Sequence, residues 1–321
     1  MSSKYRERQR TRAIELINSN NSVFRSAKGG GRFMGKQRDF VLTEYEKNLY
    51  KPIKDDAIAY FDKNRVGWWG GKKPSAHLLS SQVACVNHLF AIRNDKQAVL
   101  SILQSISPNF EDVLQITTDS YAPAYIQFEA VSDTDHLNEG VTNRGSNCTS
   151  VDALIWAVRN GENWLVLIEW KYTEHYSNEN KATEGARKDP VNNKGTTRKD
   201  RYTDLINQSQ QLKSEDHYCY YFEPFYQLMR QTLWAEQIIN HKATETIKAN
   251  NFLHLHIIPP ENSNLLHKQY KCSGKSMENT WRSHLKDDSR YMIVSPEELL
   301  KPIDQVKYRE LIEYLRERYW G

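Results

Sequence analysis

Two apolar runs separated by one turn constrain the fold of this chain more than any other feature. Val151-Asp-Ala-Leu-Ile-Trp-Ala-Val158 and Trp164-Leu-Val-Leu-Ile-Glu-Trp-Lys171 are rich in β-branched and aromatic residues, and Arg159-Asn-Gly-Glu-Asn163 joins them. Asn-Gly favours a two-residue hairpin turn, because both central positions need positive φ. The two runs therefore predict an antiparallel β-hairpin at the centre of a hydrophobic sheet.

The flanking sequence supplies helices and further strands. Residues 4–18 predict a short basic helix that ends in the turn-rich run Asn18-Ser-Asn-Asn-Ser22. Lys28-Gly-Gly-Gly-Arg32 reads as a hinge or close-approach segment, and Trp68-Trp-Gly-Gly-Lys-Lys-Pro74 as a second such cluster. Between them, Phe40 to Phe61 predicts a helical stretch of mixed polarity. Leu79, Val83, Val86 and Phe90 recur at helical spacing and predict a helix over 76–92, with another near 96–105. Tyr125 to Val131 predicts a strand. Residues 174–201 are polar and without apolar periodicity, which predicts a long loop or a segment that orders on binding. Phe225, Leu228, Thr232, Ala235 and Ile239 form one helical face. Phe252 to Ile258 is a strand stopped by Pro259-Pro260, and Tyr308, Leu311 and Leu315 mark a C-terminal helix. This order predicts an α/β sandwich around a mixed sheet, with a basic, Gly-interrupted extension over 1–75 and the main domain over 76–321.

Net charge is only +4, but residues 1–38 hold ten Lys/Arg against Glu7 and Glu15. A basic segment on a mildly acidic body suits a polyanion, since clustered cations displace counterions condensed on nucleic acid. A solvated helix face followed by a flexible loop is the competing explanation. The four cysteines are scattered, with no Cys-x-x-Cys and no Cys/His cluster at zinc spacing, so free thiols in a reducing cytoplasm are expected. The N-terminus lacks the apolar stretch of a signal peptide, and no apolar run approaches membrane-spanning length, so a cytoplasmic protein is expected.

The hairpin also holds the most informative polar residues. Side chains alternate along a strand, so Glu169 and Lys171 project together while Trp170 points away. In an antiparallel hairpin the start of one strand lies beside the end of the other, which brings Asp152 to the Glu169/Lys171 pair. Two carboxylates and an ammonium in one spot suit metal-assisted phosphodiester hydrolysis. The carboxylates can hold a hard cation, and the ammonium can orient the attacking water or neutralise developing charge. A structural salt bridge at a strand end is the alternative.

Thr149-Ser-Val-Asp152 followed by Glu169-Trp-Lys171 resembles the signature of the PD-(D/E)xK nuclease superfamily, the restriction-endonuclease-like fold. The wider text is similar to a branch of bacterial restriction endonucleases over about residues 76–321: Arg144-Gly-Ser-Asn-Cys-Thr-Ser-Val-Asp152, Leu167-Ile-Glu-Trp-Lys-Tyr-Thr-Glu174, Pro224-Phe-Tyr-Gln-Leu-Met-Arg230 and His256-Ile-Ile-Pro259. The resemblance implies a core of helix, three strands, helix and strand. It also implies Mg²⁺, with Mn²⁺ as a substitute, held by Asp152 and Glu169, with Lys171 as the catalytic lysine. Val151 stands where the motif has Pro, a residue that shapes the strand and takes no part in the chemistry. Many members carry a further Glu on the first helix, and the helix over 76–92 has none. Glu139 is the first candidate for that place and Glu129 the second.

Arg144 is a candidate phosphate contact, as are Arg187, Lys188, Lys194, Arg198, Lys199 and Arg201 in the 187–201 stretch. Gln82 and Arg230 could touch the site or serve as satisfied structural residues. Trp68 and Trp69 could stack on bases or anchor an arm. Gly30-x-x-x-x-Gly35-Lys36 lacks the following Ser/Thr and the preceding strand of a phosphate-binding loop. His254 and His256 share a strand face without a metal pattern, so half-buried strand histidines are expected. Together these features predict a DNA endonuclease of bacterial restriction or defence, acting on duplex DNA. A non-catalytic DNA-binding module and an RNA- or junction-specific nuclease remain alternatives. A homodimer would suit cutting of both strands, though no heptad marks its interface, and one chain does not reveal a companion methyltransferase.

Overall fold

In the computed structural model, which describes residues 4–20, 22–24, 26–118, 121–140, 148–215 and 217–320, the basic N-terminal helix is α1 (Lys4–Asn18). A small hairpin follows, β1 (Gly31–Phe33) and β2 (Lys36–Arg38), then the helices α2 (Lys54–Lys63), α3 (Ser81–Leu89) and α4 (Lys96–Ile106). The strands β3 (Phe110–Leu114), β4 (Ile116–Thr118), β5 (Tyr121–Ala124) and β6 (Gln127–Ala130) precede the central pair β7 (Val151–Arg159) and β8 (Glu162–Trp170). Then come α5 (Lys194–Gln208), α6 (Phe225–Asn240), β9 (Asn251–Ile257) and β10 (Tyr291–Val294), and the C-terminal helix Arg309–Leu315.

The central hairpin forms as its sequence requires. Asn160 and Gly161 take φ of 52° and 72°, and the register runs from Ala153 opposite Ile168 to Arg159 opposite Glu162. Six strands make one mixed sheet in the order β10-β9-β8-β7-β3, with β6 pairing the other half of β7. β9 runs parallel to β8, and β10 parallel to β9. Parallel neighbours need a crossover, and the chain between β8 and β9 supplies α5 and α6.

Alternation along β7 and β8 then divides the core. Ile155, Ala157, Val166 and Ile168 pack with residues of α3 and α4, while Leu154, Leu165 and Leu167 pack with residues of α5 and α6. Each buried aliphatic contributes about 1.5–3 kcal/mol, so the hairpin is fixed in register by its own side chains. The result is an α/β architecture with a mixed sheet flanked by helices. Ile17, Phe24, Leu49, Tyr60, Phe61 and Trp68, all within 1–75, join the same core as Val83 and Ile155.

Two expected elements differ. The Phe40–Phe61 stretch is helical only from Lys54, after 3-10 turns at Tyr45–Asn48 and Lys51–Ile53. Pro52 lacks an amide hydrogen and disfavours helical geometry in the residue before it. Residues 174–201 are not loop throughout, because α5 begins at Lys194. Asn193 caps it, its Oδ1 accepting from the Thr196 N–H at 3.0 Å. The buried stripe of α5 is only Gly195, Tyr202 and Ile206, too narrow to show as periodicity. All four cysteines are free thiols. Among the described residues, no helix is long and apolar enough to cross a membrane.

Candidate active site

The hairpin brings Asp152, Glu169 and Lys171 to one place on the face covered by α6. Asp152 precedes Leu154 by two residues, and Glu169 and Lys171 continue the row of Leu165 and Leu167, so all three share that face. Trp170 faces the other way, its ring 4.6 Å from that of His88. Asp152 Oδ2 accepts the Trp170 N–H at 2.7 Å, tying the start of β7 to the end of β8. Lys171 Nζ lies 2.5 Å from Glu169 Oε1, and both side chains are buried.

α6 completes this grouping with two amides one turn apart. Gln227 Oε1 accepts from Lys171 Nζ at 2.6 Å. Gln231 Nε2 donates to Glu169 Oε2 at 2.5 Å and to the Ser150 carbonyl at 3.0 Å. The sequence reading passed over both. Their i,i+4 spacing places them on one helix face, but the neighbouring apolar stripe is the stronger signal there.

Glu129 arrives from β6. It falls between the pairs Phe128–Ala153 and Ala130–Val151, beside Asp152, with a φ of 48°. Positive φ at a non-glycine residue costs about 1–3 kcal/mol and persists only where surrounding contacts hold it. The Glu129 carboxylate accepts from Gln82 Nε2 on Oε1 at 2.7 Å and from Ser150 Oγ on Oε2 at 3.1 Å. Gln82 thus reaches the site from α3, while its Oε1 accepts the Trp69 N–H at 2.8 Å. Glu139 is held elsewhere. It accepts from the Thr149 N–H, from Thr149 Oγ1 at 2.7 Å and from Tyr202 Oη at 2.6 Å, with Arg230 Nε 3.9 Å away.

Electrostatics follow from the burial. Asp152 is pushed well above the usual carboxylate range, first by burial and then by Glu169 and Glu129; Lys171 and the Trp170 N–H offset part of this. Burial would lower the Lys171 pKa, but Glu169 and its other neighbours outweigh it and hold the ammonium charged. Asp152 and Glu169 therefore share the field of one ammonium, with Glu129 adding its charge at Asp152. Among the described residues, no three metal-binding side chains come close enough to hold an ion between them. Asp152 Oδ1 takes no hydrogen bond among the described residues, and each Glu169 oxygen keeps a lone pair beyond its one donor. This pair of hard oxygen donors fits a divalent cation that draws its remaining positions from water and phosphate, as Mg²⁺ does.

Beside the cluster, α5 and α6 wall a groove of about 1190 Å³. Lys188, Lys194, Arg198 and Arg201 line it, together with Tyr226 and Arg230. Lys194 and Arg198 pair with Glu184 at 3.4 and 2.8 Å. Arg187 and Lys199 are exposed and stand outside the lining. Arg144 lies outside the described residues. Arg230 Nε donates to Thr149 Oγ1 at 3.1 Å, so it braces the segment that leads into β7. His254 and His256 are fully buried rather than half-buried, and His256 Nδ1 lies 2.9 Å from Tyr291 Oη.

A family model described as restriction endonuclease associating with ARP matches residues 17–320 of the chain. No curated protein and no solved structure matches it.

Proposed function

Because the chain belongs to the family described as restriction endonuclease associating with ARP, we propose that it is a Mg²⁺-dependent endonuclease that hydrolyses DNA phosphodiester bonds in bacterial restriction or defence. The observation that carries this reading is the convergence of Asp152, Glu169 and Lys171 at one buried end of the central hairpin. The order α3, β6–β7–β8, α6, β9 supports a PD-(D/E)xK core within 76–321, onto which the basic segment 1–75 packs through a shared hydrophobic core.

Asp152 and Glu169 are the carboxylates that would hold Mg²⁺, or Mn²⁺ in its place. When bound, the cation lowers the pKa of a water and polarises the phosphate. The protein's own residues do the positioning. Gln231 fixes one Glu169 oxygen, and Lys171 fixes the other while staying charged beside the site where the phosphate gains negative charge. Gln227 holds the far side of the ammonium. Glu129, rather than Glu139, takes the place of the third carboxylate, since it stands in the field of Asp152. Glu139 anchors the segment entering β7 to α5.

Lys188, Lys194, Arg198 and Arg201 in the groove, with Arg187 and Lys199 on its outer side, grip the backbone of duplex DNA. Incubation of supercoiled plasmid with Mg²⁺ or with EDTA tests the activity. A nuclease nicks the plasmid only with metal, whereas a binding module of the same fold leaves it intact in both.

A further inference from the structure

The two tryptophans of the turn Trp68–Gly71 have opposite fates. Trp68 is 4% exposed and stacks on Phe61, with ring centroids 3.7 Å apart and planes at 14°. It is an anchor. Trp69 stands 41% exposed at the tip of a turn closed by a bridge between Trp68 and Gly71. Gly70 has a φ of 92°, and a Cβ there would lie 2.6 Å from the Phe33 ring, so the turn closes on Phe33 only with glycine.

Beneath Trp69 is a pile of rings with one open face. Phe33 lies 4.5 Å and His77 5.2 Å from its centroid, and Phe40 lies 5.2 Å beyond His77. Cations surround the pile. The Arg10 and Arg38 guanidinium groups lie 5.1 and 5.9 Å from the Phe40 centroid. The Arg38 side chain makes no hydrogen bond or ion pair among the described residues, and its Nε is buried. His77 is drawn down to about 4, first by burial and then by the positive charges of Arg6, Arg38 and Arg10.

This surface, like the groove beside α5, is rich in cations, with Arg10 paired to Glu7 at 2.5 Å and Asp39 following Arg38. The groove sets five cations against Glu139, Glu184, Asp189 and Asp200. Residues 28–38 hold Lys28, Arg32, Lys36 and Arg38 with no Asp or Glu. The platform also adjoins the carboxylates: the Trp69 N–H meets Gln82 Oε1, and Gln82 Nε2 meets Glu129 Oε1.

We propose that Trp69 is a stacking platform for an unpaired nucleobase, with Arg10 and Arg38 holding the flanking phosphates. The substrate is then DNA with a single-stranded stretch beside the cleaved bond, an inference that rests on the nuclease reading for its choice of DNA. An exposed indole can take any base, because every base has a π-face, but a base inside a duplex is already stacked and does not present it.

The test is anisotropy of a labelled single-stranded DNA, a single-stranded RNA and a duplex of equal length, measured in EDTA with wild type, Trp69→Ala, Trp69→Phe and Arg38→Ala. Preference for single-stranded DNA over duplex is expected to fall about tenfold in Trp69→Ala and to survive in Trp69→Phe. Arg38→Ala is expected to flatten the salt dependence of single-strand binding. An unchanged preference in Trp69→Ala overturns the platform, and a loss confined to RNA overturns its assignment to DNA. EDTA separates this outcome from the enzyme reading: a lost preference in a protein that never nicks plasmid with Mg²⁺ keeps the platform and removes the nuclease.

Discussion

The Lys171 ammonium rests 2.5 Å from a Glu169 carboxylate that Gln231 holds from its other side at 2.5 Å. Two charges leave water here at a desolvation cost of roughly several kcal/mol per ion, so a pair placed for stability alone would be a poor bargain. An apolar pair of similar volume would fold at least as well. The arrangement makes sense as a device that keeps one lysine charged and one carboxylate oriented.

Removing Lys171 therefore acts twice. In Lys171→Met, Glu169 loses its counter-charge inside the protein, and the melting point falls as about 3–5 kcal/mol of stability is lost. DNA cleavage falls by about 10²–10³-fold or more, the usual scale for deleting one group that stabilises transition-state charge. The double variant Lys171→Met/Glu169→Leu regains stability without regaining cleavage. Thermal unfolding and plasmid nicking on the same samples check both halves.

Asp152→Asn should separate stability from activity in the opposite sense. The folded-state pKa of Asp152 lies above its unfolded value. Its contribution to stability is therefore greatest below the unfolded pKa and is lost as pH rises towards the folded one. At neutral pH, without metal, the aspartate opposes folding, and asparagine raises the melting point while abolishing cleavage. Mg²⁺ or Mn²⁺ raises the wild-type melting point, by about 2.7 kcal/mol of stabilisation at a hundredfold excess over Kd, and leaves Asp152→Asn unmoved. Differential scanning fluorimetry across metal concentrations reads this directly.

The hairpin and the meeting of its three charged side chains were legible because short-range rules govern them. Asn160-Gly161 sets the turn, strand alternation sets the faces, and the antiparallel sense brings Asp152 beside Glu169. What the sequence hid depends on longer-range contacts. Glu129 is only a second candidate in the sequence, because its place opposite Asp152 comes from the pairing of β6 with β7 at a positive φ. Gln227 and Gln231 acquire roles only once α6 lies across the sheet. The edge strand β10 is four residues long and gains its structure from parallel pairing with β9. α5 shows little apolar periodicity because most of it faces solvent and the groove.

Gln231 is a positioning residue on this account. Gln231→Leu removes the donor to Glu169 Oε2 and to the Ser150 carbonyl, costing about 1–3 kcal/mol of stability through unsatisfied acceptors. Cleavage should then need a higher metal concentration for half-maximal rate, with a smaller loss at saturating metal. A merely structural role would lower stability and leave the metal requirement unchanged.

His254 governs part of the acid limb of stability. Its ring is fully buried, neither nitrogen has a hydrogen-bond partner among the described residues, and burial, with Lys171 nearby, draws its pKa down to about 3. The group is held neutral in the fold, so its contribution is complete above the unfolded value near 6.5 and drains away as pH falls towards about 3. His254→Phe should narrow the gap between melting points at pH 7 and pH 5. An equal or wider gap would assign the acid sensitivity to other groups.

The central claim is that Asp152, Glu169 and Lys171 form a metal-dependent nuclease centre. Its most direct test is cleavage of supercoiled DNA by wild type, Asp152→Ala and Lys171→Ala, with Mg²⁺, Mn²⁺ or EDTA, on protein shown to be folded. The account expects cutting by wild type with either metal, none with EDTA, and none by either variant. Cutting that survives both substitutions, or that persists in EDTA, would contradict it.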